Sequence, residues 1–405
     1  MVRHPRWFSR GFSAILIVIG AGCLPSSEDK ASSAKPPEAE PSSLPTKPSV
    51  DEKTVKPTDA ARIRIEAALE SVQKRDLLTT NSFWTIFHGI LGMGPGTTLK
   101  DPDTGKRFNA LDYIFSETGG QVRGLSFEPT AAGLDVKTVG KDPFLKEHEG
   151  QGHQDQFVAE MIQWGVEADR PIRIAAFPNK TYRFSDFVAE SKARARVDQD
   201  QELAWCLIVV ADYGGGTEAE WINRFGQKIK FEDMLEYEMK ADVNVAACGG
   251  THRLFGVAWA YHRHAAHCKN SGKPMSPTWK KAKDYLDKYK NLSKEWQAPN
   301  GEFSTGHYRE KEHIPELEPR LAASGHILEW LAQYATDEEI KSEWMENGAR
   351  AVAQIILESD HMPVASGGLY HAAHGLATYH ERRYRVKLPT GKGLGSRTQT
   401  AKAVK

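Results

Sequence analysis

The chain has 405 residues, with 53 Lys and Arg balanced by 53 Asp and Glu, so its formal net charge at neutral pH is zero. That length holds one large or two ordinary domains. Without a basic excess to neutralise phosphates, composition argues against nucleic acid as a partner.

At the start, Arg3, Arg6 and Arg10 precede the apolar run "FSAILIVIGAG" and Cys23. A positive stretch before an apolar core too short to span a bilayer reads as a secretory signal. Gly20, Ala21 and Gly22 ahead of Cys23 resemble a bacterial lipobox, although Gly20 stands where Leu is usual. The resemblance implies cleavage before Cys23, acylation of that cysteine and a membrane anchor. Leu24 after the cysteine, in place of Asp, implies sorting to the outer membrane, facing the periplasm.

Residues 25–57, "PSSEDKASSAKPPEAEPSSLPTKPSVDEKTVKP", contain no aromatic residue and too few apolar ones to bury. They read as a disordered tether reaching roughly 100 Å at about 3 Å per residue. The expected boundaries are therefore a leader over 1–22, a tether over 23–57, one folded domain over 58–386 and a disordered basic tail over 387–405. Cys206, Cys248 and Cys268 remain, an odd number for an oxidising compartment. Cys248 and Cys268 bracket a predicted helix of about 20 residues and so stand ~25–30 Å apart, beyond disulfide reach. A Cys206–Cys248 bridge is left open.

Within the domain, amphipathic and nearly all-apolar helices alternate. "DAARIRIEAALESVQKRD" precedes "NSFWTIFHGILGMG". Next, "GGQVRGLSFEPTAAGLDVKTVG" reads as a β-hairpin turning at "TAAG", laid over one mouth of the fold. It is followed by "GHQDQFVAEMIQWG", then "YRFSDFVAESKARAR" with "QELAWCLIVVADYG", and "FEDMLEYEMKADV" with "GTHRLFGVAWAYH". "PTWKKAKDYLDKYKNLSKEW" is paired with "SGHILEWLAQYA", and "EEIKSEWMENGARAVAQIILES" with "GGLYHAAHGLATYH". A helix apolar on all sides must be covered on all sides, so about six such pairs predict an inner ring of helices wrapped by an outer one.

Internal similarity supports a repeat. "WTIFHGIL" and "YHAAHGLA" align His88 with His374, while "GTHRLFG", "SGHILEW" and "QGHQDQF" align His252, His326 and His153. Glu202 stands near the equivalent place of the third inner helix.

Residues 296–303, "WQAPNGEF", resemble the Q-x3-G-x-W repeat of terpenoid cyclases, with Phe303 in place of Trp. In such a repeat Gln297 would cap an outer helix, Gly301 would make the tight turn and the aromatic ring would pack it down. Together with the helix pairs, the chain resembles the α/α toroids of the terpenoid cyclase and protein prenyltransferase β-subunit superfamily. "AACGGTHRLFG", "NGEFST", "SGHILEWLA" and "LYHAAHGL" look like a family of uncharacterised bacterial lipoproteins with that fold. The implied fold is all-α, an (α/α)6 toroid with a small inserted β-hairpin. The catalytic motifs of the better-known relatives do not carry over. The DxDD of class II cyclases is replaced by "VDQDQE", the DxC zinc motif of prenyltransferases is missing, and Thr251 in "CGGT" stands where a thioester needs Gln.

If the ring is correct, His153, His252 and His326 occupy the first turns of inner helices at one mouth, where unpaired N–H groups and positive dipole ends favour anionic or hydroxyl-rich ligands. The candidate catalytic residues are His252, His153, His326, Glu202 and Cys248. At i, i+4, Cys248 and His252 also form a potential thiolate–imidazole pair. His88, His374, Asp155, Arg253, Trp84 and Tyr370 are the candidate ligand-binding residues. Trp84, Trp205, Trp259, Trp330 and Tyr370 offer faces for sugar stacking. No HxxxH or CxxC pair is spaced for zinc, so no metal is expected, His371 and His374 being the best local pair. The sequence leaves any cofactor open. The expected function is a monomeric, lipid-anchored envelope protein that binds or processes a small molecule or glycan. The alternatives are a noncatalytic envelope interaction module and a cyclase- or prenyltransferase-like enzyme.

Overall fold

A computed structural model describes residues 57–138, 150–198 and 201–386. The leader, Cys23, the tether before Pro57 and the tail lie outside the described residues. In chain order the first half contains α1 (Pro57–Lys74), β1 (Leu77–Leu78), α2 (Phe83–Met93), β2 (Thr98–Lys100), β3 (Arg107–Asn109), α3 (Ala110–Ile114), β4 (Phe127–Pro129), β5 (Leu134–Val136) and α4 (Gln156–Gln163). There follow β6 (Pro171–Arg173), β7 (Thr181–Arg183), α5 (Phe184–Arg194), α6 (Ala204–Asp212), β8 (Glu220–Ile222), β9 (Lys228–Lys230) and α7 (Phe231–Lys240). The last third is helical: α8 (Thr251–Ser271), α9 (Pro277–Trp296), α10 (Leu317–Tyr334), α11 (Asp337–Ile340), α12 (Glu343–Glu358) and α13 (Ser366–Tyr384). The fold is mostly α with small sheets. No helix among the described residues is long and apolar enough to cross a membrane.

Burial follows the two helix types seen in the sequence. Every residue of α2 and α4 is buried, as is α6 from Ala204 to Val210. By contrast α9 buries only Trp279, Ala282, Leu286 and Ser293, one stripe at helical spacing with charged residues elsewhere. The all-apolar helices touch one another: α2 packs on α13 and α4, α6 on α4 and α8, and α10 on α8 and α13. The amphipathic helices cover them, α5 and α7 against α6, α9 against α8, and α1 and α12 against α13. The most extensive packing is between α10 and α13. A Cβ on Gly375 would lie 2.7 Å from the Glu329 backbone N, and one on Gly325 would lie 2.6 Å from Ala372 Cβ. Two glycines thus let the helices that carry His326, His371 and His374 lie nearly backbone to backbone.

Among the described residues four small sheets appear where one hairpin was expected. β1, β2 and β3 form a three-stranded sheet, and β4–β5, β6–β7 and β8–β9 are antiparallel hairpins. β3, β7 and β9 run straight into α3, α5 and α7. The entries into α5 and α7 share one device, an Asp side chain three residues in that accepts the backbone N–H at the helix start, Asp186 from Arg183 at 2.8 Å and Asp233 from Lys230 at 3.1 Å. The β4–β5 hairpin turns at the expected residues, and Gln151 and Gln154, on either side of His153, donate to its Val136 carbonyl and Asp135 carboxylate. Thr130 Oγ1 donates to Glu190 Oε2 at 2.6 Å and Gly133 abuts the Asp186 carbonyl, so the hairpin flanks α5. Cys206, Cys248 and Cys268 are all free thiols.

Gln297 acts differently from the expected cap. Its Nε2 donates to the carbonyls of Gly301 and Trp344, each at 3.0 Å, which ties the turn after α9 to the first turn of α12. Phe303 is buried and packs under Gly348.

Candidate functional site

The approach to α8 sets the local geometry. Cys248, Gly249 and Gly250 all have left-handed backbone, with φ of 49°, 62° and 78°. A non-glycine residue pays a steric penalty there. A Cβ on Gly249 would fall 2.1 Å from the His307 ring and one on Gly250 would lie 2.6 Å from the Val243 carbonyl O. The glycines therefore admit this chain's own His307 and Val243.

His252, one residue into α8, stands at the centre of a group of imidazoles. Its ring centroid lies 4.7 Å from that of His153, 5.5 Å from His326 and 5.6 Å from His371. His326 and His371 are 4.1 Å apart, and His88 is 5.2 Å from His371. Potential ligating atoms lie within 4.8 Å of one another in three overlapping groups: His153, Cys248 and His252; His252, His326 and His371; and His88, Glu160 and His371.

The outward nitrogens are anchored on oxygen. His88 Nδ1–H donates to the Trp84 carbonyl at 2.8 Å and His326 Nδ1–H to the Ala322 carbonyl at 2.7 Å. A carbonyl only accepts, so each Nδ1 carries its proton, and in the neutral ring Nε2 holds the lone pair. His371 Nδ1 donates to Glu329 Oε2 at 2.8 Å, His374 Nδ1 to the other oxygen of Glu329, and His153 Nδ1 to Glu202 Oε2 at 2.8 Å. His252 differs, because neither ring nitrogen has a hydrogen bond of good geometry among the described residues. Its Nδ1 stands 3.5 Å from Glu202 Oε1. Glu160 Oε1 accepts from Gln156 at 2.9 Å while Oε2 is buried without a partner, and so is the indole N–H of Trp205, whose ring lies 4.9 Å from His252.

Charge is strongly perturbed here. Burial pushes His88 and His371 well below the usual imidazole range, and neighbouring imidazoles push the same way. Burial also lowers His252, but attraction to Cys248 and Glu202 outweighs it and leaves that imidazole well above its ordinary value. Conversely, burial raises the Cys248 thiol, and His252, His326 and His153 overcome it, holding the thiol well below its usual range. Glu202 is lowered by His153 and His252 against the effect of burial. Burial and Glu329 together push Glu160 well above the carboxylate range. His307 is brought down to about 4, by burial first and His326 next.

The structure thus gathers His88, His153, His252, His326, Glu202 and Cys248 in one cluster, with His374 attached through Glu329. Other candidates lie elsewhere. Asp155 accepts from Ser191 and Arg194 at 2.5 and 2.6 Å, tying the start of α4 to α5. Arg253 pairs with Glu238 at 2.7 Å, and Glu238 Oε1 in turn accepts the Leu203 N–H at the start of α6. Trp84 stays beside the cluster, its ring tilted against His88 at 4.0 Å, whereas Tyr370 is buried against α2 at Gly92. Trp330 donates to Tyr308 and Trp259 to Asp212, away from the cluster. His326 is not in a first turn: α10 begins at Leu317, because Leu, Glu, Arg and Ala favour a helix, Pro319 falls in the first turn where its missing N–H is tolerated, and Gly325 serves close packing instead of ending a helix.

Glu329, Glu160, Gln156 and His307 are members that motif reading does not find. A carboxylate inside a helix otherwise apolar, as in "SGHILEW" and "DQFVAEM", is the available signal, since such a group is buried only with a partner or a purpose. No protein-family model, curated protein or solved structure matches the chain.

Proposed function

We propose that the chain is an exported, lipid-anchored protein of the bacterial envelope, an (α/α)6 toroid whose central polar cluster binds or processes a hydroxyl-rich ligand of the carbohydrate class. Support for the toroid comes from the contact order α2, α4, α6, α8, α10, α13 and back to α2, with amphipathic helices on the outside. The functional reading rests on one observation above all. Each of those six helices, or the residues just before it, supplies a polar group to one cluster, yet His252, Glu160 Oε2 and Trp205 Nε1 lack protein partners there. Buried polar groups in a core built for stability are nearly all satisfied, and each one left unpaired costs about 1–3 kcal/mol.

Access is from the side of His153, Glu202 and Cys248, the partly exposed members of the cluster. Hydroxyl groups both donate and accept, which suits a lining of imidazole and carboxylate, and Trp84 and Trp205 flank the imidazoles. The test is a glycan array joined to turnover assays on envelope polysaccharides. Binding that His153→Ala and Glu202→Gln abolish without lowering the melting temperature is the expected result. Flat glycan binding and turnover alongside saturable binding of an envelope protein would replace this reading with the interaction module.

A further inference from the structure

We infer that His252, His326 and His371 form a tris-imidazole site for one divalent first-row transition ion of the zinc class. The three rings come from α8, α10 and α13, of which Gly325 and Gly375 bring α10 and α13 into close contact. All three are buried, at 3, 5 and 1 % exposure, and their ligating atoms lie within 4.8 Å of one another. In a tetrahedral site with metal–nitrogen bonds near 2.1 Å, ligand nitrogens stand about 3.4 Å apart. Inward tilting of the rings by roughly an ångström reaches that spacing.

Two further observations separate this trio from histidines that merely pack together. Two of the rings have an oxygen acceptor behind them, Ala322 O for His326 and Glu329 for His371, while Glu202 Oε1 lies 3.5 Å from His252 Nδ1 without a hydrogen bond. Metal-bound histidines are held in this way, the outer N–H on a carbonyl or carboxylate fixing the tautomer and aiming the other nitrogen. Secondly, His252 is almost fully buried and neither of its nitrogens has a hydrogen bond among the described residues, which leaves its lone pair available to an ion. Imidazole donors suit zinc, copper, nickel and iron and do not suit calcium or magnesium. Three protein ligands leave a fourth position, which is the pattern of a reactive site more than a structural one. The side toward Cys248 and His153, both near His252, is where that position opens.

The site is independent of the glycan assignment and is tested with no sugar present. The full chain, stripped with a chelator, is titrated with zinc(II) by calorimetry and with cobalt(II) by visible spectroscopy, while circular dichroism monitors the fold. One ion per chain is expected, with tetrahedral cobalt bands and no thiolate-to-cobalt charge-transfer band. His326→Ala and His371→Ala should weaken binding more than ~100-fold, Glu329→Gln about 10–100-fold, and Cys248→Ser hardly at all. Should an alanine variant unfold, His326→Gln and His371→Gln fill the same space and are expected to lose the ion while keeping the helical spectrum. Absence of saturable binding in the wild type overturns the site. So does zinc binding that survives the double variant at His326 and His371, or a thiolate band showing that Cys248 is a ligand.

Discussion

At Cys248, Gly249 and Gly250 the backbone turns through three consecutive left-handed residues before α8 begins. The turn aims His252 at the neighbouring helices, and Gly249 is where it is least tolerant. Gly249→Ala places a methyl group against the His307 ring and forces an L-residue into φ of 62°, so the expected loss is about 1–3 kcal/mol, read as a lower urea midpoint. Unchanged stability would mean that His307 moves aside freely. Among single residues, His88, His153, His252, His326, Glu202 and Cys248 were legible as candidates because histidines at matching places in apolar helices are conspicuous. Asp155 and Arg253 carry the same sequence signal, yet Arg194 and Glu238 engage them. Nothing in the chain near Asp155 announces an arginine 39 positions away.

Elements were legible to different degrees. Helices of three or more turns show their apolar stripe locally, and α9 shows it clearly. The strands of the β6–β7 and β8–β9 hairpins have three residues each, too short for alternation to stand out from chance. Contacts between elements were not legible at all. On α9, Asp287 accepts from Lys283 at 2.5 Å, from Lys290 at 2.8 Å and from Tyr334 of α10 at 2.9 Å. Burial alone would raise its carboxyl, but these three donors bring it from an ordinary 3.8 down to about 2. A carboxyl lowered by folding contributes stability that is full above its unfolded value and is lost as pH falls through the folded one. Asp287→Asn should therefore cost about 1 kcal/mol at pH 7, allowing for solvent screening. The deficit should shrink toward zero as the pH approaches 2. Urea unfolding at several pH values checks this, and a deficit that does not change with pH would assign the loss to packing.

For the whole molecule, the proposed address at the N-terminus is tested apart from the fold. Cys23→Ser removes the acylation point, so the expected outcome is an uncleaved precursor or a protein released from membranes on fractionation, since anchoring depends on several buried acyl chains. Normal processing together with unchanged membrane association would refute the lipoprotein assignment. What the sequence alone determined is what short-range pattern carries: a mostly helical domain, the alternation of covered and covering helices, and the candidate histidines. Burial along a helix repeats every 3.6 residues and is written into neighbouring positions. Only the tertiary structure decided which polar groups share a centre. The rotation and offset of each helix, set by contacts such as Gly375 against Glu329, determine where a side chain points. His326 therefore meets His371 from nine residues inside α10, Glu329 holds two imidazoles at once, and Asp155 faces α5.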